Sequence, residues 1–442
     1  MKDDVTGTYV PKTAYLDMIQ VRRIENPKGV WRSAGNSDNF HVTLMRLPYD
    51  DAEDFKPFNS EGAWSATIVE GGDDFITLRS TVEGSGSDNA QQTGVKSIEG
   101  AGEHPIDFWI DFKGTIAENS TPRCAIVRVR YHNYTCEHDI YVRQGYAPIT
   151  IDGNAESDKN PAWASYNVYR FDANNAPVYT KSPLEEGSLF RRGNRTAILA
   201  SNNDRPGFTF GLGPSGSFDV LELGATTPSQ KTWSQLAPSA DDVKSRFASW
   251  SIAGDHERIA TIEDFYTLES TSIHSNIGKA YGVLYGDGAT ETQKSVEVAL
   301  GYDHNEDPTN SKKGMRGCFV FNINNSHNIF FPIGKSGYGR RKGMTSNGEK
   351  VGALRYAQRT DYYNNDGTGN IQYVPLFYDL FERPGAIYQC RNRLSSTGSD
   401  VKKSSAFDIN YFTMGFEGFE NGASNNSDGS DSDACFIRTV KY

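Results

Sequence analysis

Between residues 31 and 148, apolar and polar residues alternate in short runs. Phe40-His41-Val42-Thr43-Leu44-Met45-Arg46-Leu47 does so, and Trp64-Ser65-Ala66-Thr67-Ile68-Val69 does so more loosely. Phe75-Ile76-Thr77-Leu78, Ile106-Asp107-Phe108-Trp109-Ile110-Asp111-Phe112, Cys124–Tyr131 and Cys136–Gln144 follow. A period of two turns one face of each run toward a core and the other toward water. Such runs, separated by turn residues, predict a sandwich of two antiparallel sheets. The Gly/Ser/Asn-rich stretch from Gly84 to Gly102 reads as a long exposed loop. Residues 1–30, with a partly alternating stretch at 13–21, read as an N-terminal arm. Residues 149–162 lose periodicity and gain polar residues, which marks a linker.

A second domain is predicted over 163–442. It opens with Trp163-Ala164-Ser165-Tyr166-Asn167-Val168-Tyr169. A short helical window lies at 240–247, where Ser239 can cap and Val243 and Phe247 share a face. A stronger one starts at Thr261, with Asp264 three residues on, where a capping box places an acid or amide. The apolar runs Gly317–Asn322 and Asn328–Gly334, and the terminal Asp433–Tyr442, read as strands. Gly352–Ala357 and Pro375–Leu380 read as strands or their ends.

At 442 residues the chain is too long for one ordinary core, so two or three domains are expected. Its 43 Gly and 23 Tyr suit a β-rich, loop-rich protein, and its aromatic content argues against disorder over its length. A formal net charge of −11 argues against nucleic acid as a partner and against a polybasic membrane patch. No apolar run approaches the ~20 residues of a membrane helix. Five cysteines show no Cys-x-x-Cys spacing. Cys124 and Cys136 could face each other across a hairpin; free buried thiols are the expected state for most of the five.

Several of these segments resemble known families. Phe331-Pro332, Gly337-Tyr338 and the closing Ile437-Arg438-Thr439-Val440 resemble the Fibrobacter-succinogenes major paralogous domain. So does Arg258-Ile259-Ala260-Thr261-Ile262-Glu263-Asp264-Phe265, where Ala260, Asp264 and Phe265 replace the usual Pro, Glu and Trp. That resemblance covers most of 230–442 and implies a C-type-lectin-like α+β fold in a secreted module without known catalytic chemistry. Trp64-Ser65-Ala66, Arg123–Val127 and Tyr141-Val142-Arg143-Gln144 resemble the BACON family of immunoglobulin-like domains. The fold expectation is therefore mainly β with some α. An immunoglobulin-like sandwich over 31–148 precedes a lectin-like domain over 163–442.

The resemblance, and an acidic, polar opening at Met1–Tyr9 like the residues after a lipidated cysteine, imply a surface lipoprotein of the bacterial outer membrane, held only by a lipid anchor. A cytoplasmic or phage protein is the plainer reading of that opening. The expected function is binding or adhesion toward a glycan or a surface protein, with a fimbrial association in view, and the chain is not expected to be an enzyme. The alternatives are a structural subunit of a pilus tip or phage particle, binding sister chains, and a glycan-active enzyme.

Two candidate sites follow. Lys335–Lys342 is basic, aromatic and Gly-rich in an acidic chain, so Tyr338, Arg340 and Arg341 could stack on and hydrogen-bond a sugar or acidic surface. The same turn can instead belong to the fold, its arginines paired with nearby carboxylates. Asp303, Asn305 and Asp307 alternate as oxygen ligands of a Ca²⁺-like cation do, but Pro308 breaks the EF-hand pattern and a solvated loop explains them as well. No cofactor is expected beyond such a Ca²⁺. No His-Glu-x-x-His helix or Gly-x-Ser-x-Gly elbow occurs. Gly334-Lys335-Ser336 only mimics the end of a phosphate loop. His132 and His138, which flank Cys136, read as a hairpin side-chain ladder.

Overall fold

A computed structural model describes residues 26–46, 56–72, 74–81, 92–102, 104–152, 160–185, 187–191, 195–198, 217–232, 257–268, 276–292, 314–332, 358–361, 372–375, 385–389, 405–410, 415–420 and 434–441. The protein is mainly β: 52% of the described residues are in strands and 2% in helix. It divides into two units, each built from two stretches of chain. The first unit comprises 1–153 and 276–330, the second 154–275 and 331–442.

The first stretch of the first unit supplies β1 (Pro27–Arg32), β2 (Phe40–Thr43), β3 (Met45–Arg46), β4 (Lys56–Pro57), β5 (Trp64–Gly71) and β6 (Ile76–Ser80). It continues with β7 (Thr93–Val95), β8 (Ser97–Gly100), β9 (Asp107–Phe112), β10 (Arg123–Tyr131) and β11 (Cys136–Gln144). The second unit then contributes β12 (Ala162–Trp163), β13 (Val168–Phe171), β14 (Pro177–Tyr179), β15 (Leu189–Arg191) and β16 (Ala197–Ile198). Its next elements are β17 (Ser217–Leu221), β18 (Ser229–Thr232), β19 (Glu257–Ile259) and the short helix α1 (Ile262–Tyr266). The chain returns to the first unit with β20 (Ile277–Tyr285), β21 (Met315–Asn322) and β22 (Asn328–Pro332). The remaining strands are β23 (Gln358–Asp361), β24 (Gln372–Pro375), β25 (Gly385–Gln389), β26 (Ser405–Asn410), β27 (Gly415–Glu420), β28 (Ala434–Cys435) and β29 (Thr439–Lys441).

In the first unit, an eight-stranded sheet runs β22-β21-β20-β1-β11-β10-β5-β8, and a four-stranded sheet runs β2-β9-β6-β7. Alternation explains their inner faces. Ala125, Val127, Val129 and Tyr131 of β10 share one core with Phe108, Ile110 and Phe112 of β9. Trp64, Phe40 and Leu78 fill the same core. The other face of the larger sheet is aromatic as well. Tyr141 stacks on Phe321 at 4.3 Å between ring centroids, and Phe319 meets Phe330 at 4.8 Å. Close approach here depends on Gly29, where a β-carbon would fall 2.5 Å from Phe319 Cζ.

The structure departs from the sequence reading at several points. Pro27–Arg32 overlaps the stretch read as an arm, yet all six of its residues are buried. It lies in parallel register between β11 and β20. Strands β20 and β21, read as part of the domain over 163–442, pair with each other and join the first unit's sheet through β1. The start of the 149–162 stretch is packed rather than exposed. Ile149 and Ile151 are buried, and Asn322 Nδ2 donates to the Ile151 carbonyl at 3.0 Å. Part of the Gly84–Gly102 stretch forms β7 and β8. The hairpin carrying Cys124 and Cys136 exists, but its register sets Cys124 opposite Arg143 and Cys136 opposite Tyr131, at opposite ends. Both thiols are free.

The second unit contains a β12-β29-β19 sheet, a β18-β17-β16-β15-β28 sheet, a β25-β26-β27 sheet and the hairpins β13-β14 and β23-β24. Val168, Phe171, Phe190, Ala197, Leu221, Ile259 and Ile437 form a core. Helix α1 begins as its sequence predicts. Thr261 caps it, its hydroxyl accepting from the Asp264 amide, while the Asp264 carboxylate accepts from the Thr261 amide at 2.7 Å. Arg258 grips the same carboxylate. Arg438 is fully buried, donating to Asn167 Oδ1 and the Ala164 carbonyl, both at 2.8 Å, and lying over the Phe331 ring. Burial pushes its pKa down.

Candidate functional site

The chemistry-bearing side chains gather on the outward face of β2-β9-β6. Because β9 alternates, Phe108, Ile110 and Phe112 point into the core, leaving Asp107, Trp109 and Asp111 on the opposite side. Register then sets His41 of β2 and Arg79 of β6 beside Trp109. The His41 ring stacks on the indole at 4.4 Å with 6° between planes. The Arg79 guanidinium sits 4.6 Å from the indole centroid. The two come from opposite neighbours of β9, so together they cover both faces of the ring.

Acidic residues fix this row at each end. Arg79 Nε and Nη2 donate to the Asp111 carboxylate at 2.8 and 3.0 Å, a bidentate pair that raises the arginine pKa. His41 Nε2 lies against the Asp107 carboxylate. Thr43 donates to the same carboxylate at 3.4 Å. Asp107 and Asp111 are four residues apart on one strand, so about 13 Å separates them along it. Glycosidase pairs stand roughly 5–9.5 Å apart. Asp107 and Asp111 are therefore too far apart to act together as such a carboxylate pair.

Other polar clusters among the described residues pair across strands or hold backbone. On the outer face of β10 and β11, Arg128 pairs bidentately with Asp139 at 2.8 and 2.9 Å and also approaches Glu137, which Arg130 shares. Arg143 donates to the carbonyls of Gly145, Ala147 and Asn328 and lies 4.6 Å from the Trp31 centroid. His138 Nε2 bonds the Pro27 carbonyl at 2.8 Å, and His132 Nδ1 accepts from the Glu61 amide at 2.8 Å. These two histidines thus hold backbone, and Cys136 stays a buried thiol between them.

Tyr338, Arg340 and Arg341, and the candidate ligands Asp303, Asn305 and Asp307, lie outside the described residues. Among the described residues, no group of three or more His, Cys, Asp or Glu is placed to hold a metal ion. No helix among them is long and apolar enough to cross a membrane. The His41–Trp109–Arg79 row was not singled out in sequence. Its signal was there: in Ile106–Phe112, a Trp occupies the polar phase of the alternation. Its two flanking residues come from strands far away in the chain, which no local pattern shows. In comparison with known proteins, no family model matches the chain and no curated protein matches its sequence.

Proposed function

We propose that this chain is a displayed binding protein of the bacterial outer surface, held by a lipid anchor, and that it engages a protein partner. The supporting observation is the Trp109 row. Trp and Arg dominate protein–protein hot spots. Here they are locked before contact by stacking and by the Arg79–Asp111 pair, which lowers the ordering cost of binding. A sugar ring would need a bare indole face, and His41 and Arg79 cover both. The surface setting, the immunoglobulin-like reading of 31–148, the lectin-like reading of 163–442 and the non-enzymatic reading rest on the family resemblances. The same row serves the assembly-subunit reading if the partner is a sister chain. A second contact, the Tyr338–Arg341 loop, would take glycans or acidic surfaces, and Asp303, Asn305 and Asp307 would hold Ca²⁺ if any cation binds.

The test uses the full chain, because a 163–442 fragment would take β20 and β21 away from β1. The chain is applied to arrays of surface proteins and of glycans, with Trp109→Ala and Tyr338→Ala in parallel. Loss of protein binding by roughly 2 kcal/mol in Trp109→Ala, with the fold intact, supports the row. Undiminished protein binding by Trp109→Ala removes it. Glycan binding lost only in Tyr338→Ala moves the site to the loop, and self-association in sedimentation favours the assembly subunit.

A further inference from the structure

We propose that β1 is a load-bearing clamp that carries tension from the chain preceding residue 26 into the first unit. The proposal rests on the tethered reading above, since only an anchored chain is pulled from that side. β1 is interior to its sheet, buried along its whole length and parallel to both neighbours. Gly29, Val30, Trp31 and Arg32 are in register with Tyr141, Val142, Arg143 and Gln144. On the other side Pro27, Gly29 and Val30 match Val283, Leu284 and Tyr285. In a parallel pair, the start of β1 and the end of β11 lie at opposite ends. Tension between those points runs along the strands and loads every cross-strand hydrogen bond together. Tension applied at the same end would peel the bonds one after another.

Side chains pin β1 along its length. Asn26 exchanges two bonds with the Met45 backbone, at 2.9 and 2.6 Å. His138 holds the Pro27 carbonyl, and Trp31 Nε1 donates to Asn328 Oδ1 at 2.9 Å. Arg32 donates to the carbonyls of Asp38, Gly286 and Ala289 at 2.8, 2.8 and 2.7 Å. A slip by one residue would carry Val30 out of the core and pull Arg32 from these carbonyls. Sliding therefore has no low-energy intermediate register.

The experiment is single-molecule pulling on the full chain with one handle at the N-terminus. The second handle is attached at exposed Glu118, beside the start of β10 and hence at the end of β11, or at exposed Tyr134, on the β10–β11 tip. The Glu118 geometry shears β1 and the Tyr134 geometry peels it. At one loading rate, the shear geometry should give a rupture force at least about twofold higher, because forced unfolding follows the barrier along the pulled direction. Asn26→Ala should lower the shear value toward the peeling one. Equal forces in the two geometries would overturn the clamp. Tethering is read separately, by incorporation of a labelled fatty acid in cells, so a missing anchor and a missing clamp give different results.

Discussion

Replacing Gly29 with alanine tests how tightly the second aromatic face is built. The added methyl would lie 2.5 Å from Phe319 Cζ and 3.1 Å from Leu284 Cδ1. The ring has little room to retreat. Phe319 is fully buried, with Phe330 at 4.8 Å on one side and Tyr141 at 5.8 Å on another. Losing glycine's freedom in the unfolded chain favours alanine by about 0.4–1 kcal/mol. Overpacking costs about 1–3 kcal/mol, so the steric effect wins and a net loss of roughly 1–2 kcal/mol is expected. Phe319→Leu removes the ring edge and destabilises by its own cavity. In the double variant the methyl fills part of that space, so the two losses should fall short of their sum by about 1 kcal/mol. Hydrogen exchange of the β11 and β20 amides, which flank Gly29, reports on this unit specifically. Gly29→Ala exchanging as slowly as the parent, or strictly additive losses, would show that the close approach is not stabilising the sheet.

Two other outcomes follow from groups partly or wholly withdrawn from water. His327 Nδ1 bonds the Thr150 carbonyl at 2.7 Å, while burial, aided by the Arg143 charge, lowers its pKa despite that bond. A folded value below the unfolded one means stability is complete above the ordinary imidazole range and falls as pH drops through it. Exchange at residues 149–152, corrected for intrinsic rates, should therefore speed up from pH 7.5 to 5 in the parent but not in His327→Gln; equal acid sensitivity in both would exclude His327 as the cause. Burial raises the Cys124 thiol to about 11 and the Cys318 thiol to about 12. Mapped alkylation at pH 8 should then reach these two only in denaturant, and rapid native labelling would contradict their burial.

What the sequence revealed was local. The alternation in 106–112, 124–131 and 136–144 marks β9, β10 and β11, because one face of each strand meets the shared core. The Thr261–Asp264 spacing marks the start of α1, because a capping box needs only adjacent residues. β1 was hidden for the opposite reason. Pro27-Lys28-Gly29-Val30-Trp31-Arg32 has no clean period, since both its faces are buried and its partners come from β11 and β20. β20 carries glycines at 278 and 282, the first of them seating the Phe321 ring, and so lacks the apolar density that announces a strand. The Trp109 row fell between these cases: its central residue was visible in one segment, its meaning only across three.

The interleaved course of the chain also sets an order of assembly during synthesis. Arg32 reaches the Gly286 carbonyl across 254 residues. When β11 emerges, β1 can pair on one side only, and its other edge stays open while the first stretch of the second unit is made. That second unit is in turn incomplete until residues beyond 331 follow. Neither unit can close before most of the other exists, so folding is expected to be late, slow and governed by long-range pairing. A nascent chain would thus present an unpaired β1 edge until β20 emerges, and chaperone contact should concentrate there.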